Sequence, residues 1–221
     1  LINLLRRAVN QLYFARYRKI IMSARGRPRS FDRTAALAAA TQLFWRKGYS
    51  ATSIAELCAV MGIGSPSLYA AFGSKPALYL EALSYYKATH APLIWSGLDT
   101  AATARDAVLD FLMASAAVLP AKGHPGGCMV TLASVGEKDA EPLCDRLVAG
   151  RAAGLSLLEA RLARGLAEGE LPAGTDHKAL ARFYLGVQQG MSVQARDGAD
   201  CAELEAMARM AMAAWPSPAQ G

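Results

Sequence analysis

The stretch SATSIAELCAVMGIGSPSLYAAF, from Ser50 to Phe72, constrains this chain more than any other. Ser53 and Glu56 stand at the spacing of a capping box, in which the two side chains satisfy each other's free backbone N–H groups, so a helix is expected to open at Thr52 or Ser53. Ile54, Leu57 and Cys58 then recur at helical spacing. Gly62 and Gly64 interrupt the pattern and permit the backbone of a sharp turn. Ser65 reads as the N-cap of a second helix and Pro66 as its first residue. Two short helices joined by a glycine-bearing turn make a helix-turn-helix, the unit that lays its second helix in a DNA major groove. The small, polar opening of that second helix, Ser65 to Tyr69, suits a helix N-terminus meeting phosphates and base edges.

Charge points the same way. The net charge of +6 is concentrated at one end: residues 1 to 29 hold eight basic side chains and no acidic one, while the rest holds 16 basic against 18 acidic. A positive end on a mildly acidic body fits a polyanion partner. Within it, Arg25-Gly26-Arg27-Pro28-Arg29 reads as an extended arm whose guanidinium groups, Arg27 and Arg29 among them, suit a narrow A·T minor groove. Residues 1 to 24 are a basic extension in which Met22 reads as the natural start; a basic helix lying along DNA or an anionic surface is the alternative.

Several classes are excluded. No run approaches 18 uninterrupted apolar residues. Cys58, Cys128, Cys144 and Cys201 are scattered without a CxxC pair, and His90, His124 and His177 show no metal-ligand spacing. The cysteines therefore read as small apolar residues in a reducing, cytoplasmic compartment, and no metal or cofactor is expected. No activated nucleophile or phosphate loop is visible, so an enzyme is not expected.

Glycine and proline mark out the remaining helices. A scaffold helix is expected over Asp32 to Lys47, with Ala36, Leu37, Ala40, Leu43 and Phe44 as its apolar stripe. Gly73-Ser74-Lys75-Pro76 stops one helix and starts another, which runs to about Thr89. A broken connection follows, with one turn near Leu93 to Trp95. Further helices are expected over Ala102–Leu119, Cys128–Val135, Ala140–Glu168, Asp176–Arg196 and Asp200–Trp215, with residues 121 to 127 as a flexible loop. No convincing strand pattern appears, so the fold class is all-α.

The run from Gly26 to Leu83 resembles the DNA-binding head of the TetR/AcrR family of transcriptional regulators. The features that carry the likeness recur in order: Lys47-Gly48-Tyr49, Thr52-Ser53-Ile54-Ala55, Gly62 to Gly64, Leu68-Tyr69, Phe72, and Ser74-Lys75 before Leu78. Gly127-Cys128 and Ala167 to Pro172 are similar to the AcrR-like branch. The resemblance implies a head over residues 25–75 and a ligand-binding and dimerisation body over 76–221. It further implies a homodimer that reads a palindrome on double-stranded DNA, and a small effector bound among the body helices. Thr52, Ser53, Ser65, Ser67, Leu68, Tyr69 and Lys75 become the expected DNA-binding residues of the head, with Tyr69 and Lys75 on phosphates. Ala70 and Ala71 depart from the family pattern and remove base-directed hydrogen bonds there.

For the body, Trp95, Phe111, Met113, Met129, Tyr184 and Gln188 are the candidate lining of a pocket for a lipophilic effector, with Phe183 a further candidate. Leu180, Phe183, Tyr184, Val187 and Met191, with Leu204, Met207, Ala208, Ala211 and Trp215, form the expected dimer seam, Gly186 and Gly190 permitting close approach. The alternatives are an effector-free architectural DNA binder and a redox sensor acting through Cys128 and Cys144.

Overall fold

A computed structural model describes residues 31–133 and 141–216. The N-terminal extension and the arginine arm, with Arg27 and Arg29, lie outside the described residues. Among the described residues there are ten helices and no strand, so the chain is all-α. From Arg33 onward they belong to one compact unit.

The head is built from three helices and packs on a fourth that connects it to the body. Helix α1 (Arg33–Lys47) buries Ala36, Leu37, Ala40, Thr41, Leu43, Phe44 and Trp45, a wider face than the expected stripe because Trp45 also turns inward. It stops at Gly48, whose N–H returns to the Phe44 carbonyl at 2.8 Å with φ +81°. Helix α2 (Ile54–Met61) carries the full capping box: the Ser53 hydroxyl accepts from Glu56 N–H, and the Glu56 carboxylate accepts from Ser53 N–H. Its last turn closes on Gly62 in the left-handed region. Helix α3 (Ser65–Phe72) begins one residue earlier than expected. Gly64 is the N-cap and makes no side-chain cap bond, Ser65 is helical, and Pro66 lies in the first turn. Gly64 already supplies the extended entry, which leaves the Ser65 side chain free of the capping role.

Helix α4 (Lys75–Thr89) opens on Ser74, which accepts from Ala77 N–H at 3.2 Å. It buries Leu78, Tyr79, Ala82, Leu83 and Tyr86 against α1, as the periodicity predicts. Arg33 ties three of these helices together. Its Nη2 donates to Glu81 on α4 at 2.7 Å and to the Ala71 carbonyl on α3 at 3.2 Å, and its guanidinium lies 4.3 Å from the Phe72 ring centre.

The body contains α5 (Pro92–Trp95), α6 (Ala104–Val118), α7 (Met129–Leu132), α8 (Glu141–Ala167), α9 (His177–Arg196) and α10 (Cys201–Met212). Its core joins Val108, Phe111 and Leu112 of α6 to Leu158 and Leu162 of α8, Tyr184 and Met191 of α9, and Leu204 and Ala208 of α10. Thr103 caps α6, Asp176 caps α9, and Asp200 forms a second capping box with Glu203 on α10. Each cap side chain holds an otherwise orphaned N–H, which is why these starts fall one or two residues after the expected ones. Helix α7 begins after Cys128 and ends at Leu132; the expected end at Val135 lies outside the described residues. Helix α10 stops at Met212, short of Trp215.

Two expectations for the dimer seam are corrected. Tyr184, Met191, Leu204, Ala208 and Ala211 are buried inside the protomer, because α9 and α10 turn those positions toward α6 and α8. Gly190 faces α10, where an added Cβ would lie 3.3 Å from Met207 Cε. The apolar surface left outward on these helices is carried by Phe183, Val193 and Met210, the last 75% exposed.

Candidate nucleic-acid interface and effector cavity

Helices α2 and α3 meet at 90°, within the range of helix-turn-helix pairs. Leu57, Leu68 and Phe72 are buried between them and α1. That packing turns the opposite side of α3 outward. Ser65, Pro66 and Ala70 are exposed there, Ser67 is half-buried, and Tyr69 is 47% exposed. The outward strip is short, polar and uncharged, with one phenol at its edge. Lys75 begins the next helix and places its ammonium 4.3 Å from the Tyr49 ring centre, a cation–π contact that aims the charge.

Two expected DNA-binding side chains are corrected. Leu68 is 0% exposed and belongs to the head core, since it shares the inward face of α3 with Phe72 one turn on. Thr52 is 1% exposed and donates its hydroxyl to the Gly48 carbonyl at 2.6 Å; it fastens the turn after α1. Ser53 is exposed, but its hydroxyl also donates to the Glu56 carboxylate at 2.8 Å, so it serves the helix start. Glu56 pairs in turn with Lys47. That hydrogen bond, together with those from Ser53, holds the Glu56 carboxyl down to about 2.

The body holds a cavity of about 420 Å³, a size typical of small-molecule sites. Trp95 and Gln188 line it. Gln188 is 3% exposed, an amide enclosed on a largely apolar wall. Phe111, Met129 and Tyr184 are corrected: all three are buried in the core. Phe111 stands behind Trp95, ring centres 4.7 Å apart. Tyr184 sends its hydroxyl to the Ala211 carbonyl at 3.5 Å, and burial pushes that phenol up to about 12. Met113 packs against the core without lining the cavity, and Phe183 faces outward.

The wall also includes Tyr86, Lys87, Cys128, Arg151, Gly154 and Leu157. Burial drives the Tyr86 hydroxyl well above its ordinary pKa, and the Cys128 thiol beside it adds to the shift. Gly154 makes room for Trp95: a Cβ there would lie 2.9 Å from the indole. Gly150 and Gly154, one turn apart on α8, were the available signal that another element approaches closely. Cys144 does not line the cavity. None of the four cysteines is in a disulfide, and no cluster able to hold a metal ion occurs among the described residues.

A helix-turn-helix with an outward second helix, mounted on an all-helical body, defines a DNA-binding transcriptional regulator. Residues 36–82 match the family model for bacterial regulatory proteins of the tetR family, and residues 104–211 match the tetracyclin repressor-like C-terminal domain. The chain belongs to the TetR family. It is 33% identical over 201 residues to the HTH-type transcriptional repressor ComR of Escherichia coli K12, covering 89% of this chain and 94% of that protein. It is also 39% identical over 105 residues to the E. coli repressor BdcR, across 48% of this chain and 53% of that one. A solved structure of the TetR family regulator CifR, a triple cysteine mutant complexed with 26-bp double-strand operator DNA, superposes with a TM-score of 0.82 at 42% identity, covering 86% of this chain and all of that one.

Proposed function

We propose that this chain is a repressor that binds a palindromic operator as a homodimer and is released by a small, predominantly apolar effector. The observation that carries the reading is the sidedness of α3, which buries Leu68 and Phe72 and leaves Ser65, Ser67 and Tyr69 toward solvent. In this reading Tyr69 and Lys75 hold phosphates, and the first turn of α3 meets the groove. Ala70 offers only a methyl contact to bases, so much of the specificity falls to short side chains, the arginine arm and half-site spacing. The operator complex of CifR, a similar chain, supports the DNA arm of the reading. Phe183, Val193 and Met210 are the apolar surface that a second copy would cover.

The effector enters the cavity between α4, α5, α8 and α9, where Trp95 and Leu157 meet an apolar body and the Gln188 amide fixes one polar group. An effector favouring a DNA-incompetent state weakens operator binding by the same coupling free energy with which DNA weakens the effector, typically ~1–3 kcal/mol. Cys128 on the cavity wall favours a second reading, in which the effector reacts with that thiol; Cys128→Ser then abolishes the response.

The test is a band shift on the DNA flanking the chain's own gene, titrated with salt. Lys75→Met is expected to weaken binding to all sequences alike and to lower the slope of log K against log salt by about 1.8, the contribution of one phosphate from each of the two protomers. Binding that ignores competitor sequence would sink the repressor reading.

A further inference from the structure

One face of α9 runs from the cavity to the DNA-binding head. Gln188, Ser192 and Arg196 follow one another at four-residue spacing and so lie in a line along the helix. Gln188 lines the cavity. One turn on, the Ser192 hydroxyl accepts the N–H of Cys128 at 2.7 Å, and Cys128 lines the same cavity. A turn further, Arg196 spreads its guanidinium over three carbonyls. Nε donates to Gly126 at 2.8 Å, Nη2 to Trp45 at 2.9 Å and Nη1 to Arg46 at 3.3 Å. Trp45 and Arg46 belong to the last turn of α1, the scaffold of the head.

The loop before Cys128 reaches the head by a second route. His124 stacks on Trp45 with ring centres 4.6 Å apart and planes at 13°. Two glycines press this loop onto α9. A Cβ on Gly126 would lie 2.5 Å from the Ala195 carbonyl oxygen, and one on Gly127 would lie 2.5 Å from that of Ser192. Loop and helix are therefore in direct backbone contact, and the Gly126 carbonyl that Arg196 holds lies two residues before Cys128.

We propose that Arg196 is the positioning residue through which the body sets the attitude of the DNA-binding head. The last carbonyls of a helix lack intrahelical partners. A planar guanidinium with five donors serves several of them together with the loop, which a lysine ammonium on a flexible stem does far less well. The clamp pre-organises α1, and with it the helix-turn-helix packed on α1, before DNA arrives. It also gives a shift of the cavity wall a short route to the head.

The inference rests on DNA binding by this chain, so wild-type binding to the gene-flanking DNA is measured first; its absence counts against the proposed function and leaves Arg196 to be judged by the fluorescence arm. Arg196→Met keeps the apolar stem and removes the donors. Operator affinity is expected to fall about tenfold through loss of pre-organisation, while the salt slope stays at its wild-type value because no phosphate contact is lost. In a Trp95→Phe, Trp215→Phe background Trp45 is the sole tryptophan, and its quenching by acrylamide is expected to rise. Arg196→Lys should recover part of both effects and serves if the methionine variant does not fold. An affinity within about twofold of wild type would make the clamp merely structural, and a slope reduced by about 1.8, one phosphate from each protomer, would make Arg196 a DNA contact. Either result overturns the inference, as does unchanged Trp45 quenching.

Discussion

Gly62 in the head and Gly127 in the body have nearly the same backbone conformation, φ +66° and φ +76°. Their surroundings differ completely. A Cβ added to Gly62 meets nothing within 4 Å, whereas one on Gly127 lies 2.4 Å from Leu132 Cδ1 and 2.5 Å from the Ser192 carbonyl oxygen. The head turn is shaped by its own dihedrals. The body loop is shaped by what it presses against. The same division runs through the molecule: capping boxes and short turns set the head, and contacts between residues far apart in sequence set the cavity and its link to α1.

The largest effects test whether this division extends to stability. Leu68 in α3 and Leu162 in α8 are both fully buried, and truncating either to alanine is expected to cost about 2–5 kcal/mol. Because Arg196 and the Trp45 aromatic cluster join head to body, both variants should lower a single calorimetric transition. Two separate transitions in Leu68→Ala would show that the head melts alone and that the clamp is weak.

The glycine pair gives the next effect and the sharper comparison. Gly62→Ala should cost about 1–2 kcal/mol, the strain of a left-handed alanine. Gly127→Ala adds overpacking of about 1–3 kcal/mol to the same strain, read as a larger fall in the denaturant midpoint. Equal costs would mean that the loop can lift off α9, and the contrast between the two regions would fail.

This contrast also explains what could be read from the sequence. Ser53 with Glu56, Ser74 with Pro76, and Gly48 and Gly62 act within a few residues of themselves, so helix order, the turn and the exposed start of α3 were all legible. Leu68 was legible as core by its spacing with Phe72, even though family likeness placed it on DNA. The cavity was only partly legible. Trp95 and Gln188 were found because an aromatic ring and an amide on apolar helices are conspicuous, but Phe111 and Tyr184 have the same composition and helical spacing and face the other way. Which side of α6 and α9 turns to the cavity depends on the α8 glycines and on the depth of the loop before Cys128. Arg196 carried no signal beyond being a basic residue in a last turn, where it reads as a helix-dipole partner. Its acceptors lie some 70 and 150 residues away in the chain.

Acid should separate the two regions by a smaller effect of opposite origin. In the head, Glu56 is held at about 2 by Lys47 first and Ser53 second. A carboxylate with a depressed folded pKa stabilises the protein fully above its unfolded value near 4.5, and that contribution is lost only as pH falls toward 2. At the junction with the body, His90 stands in the aromatic cluster with Trp45, Tyr86 and His124. Burial, and then the charge of His124, lower its pKa from 6.5. The unfolded chain therefore takes up the proton first, so stability is complete above about pH 6.5 and declines as pH falls toward the folded value. Between pH 7 and pH 5 the melting temperature should drop because of the junction and not because of the head. His90→Leu is expected to flatten that decline, and Glu56→Gln to lower the melting temperature by a constant amount above about pH 4.5 while leaving the slope between pH 7 and 5 unchanged. A slope between pH 7 and 5 that survives His90→Leu would remove His90 as its source.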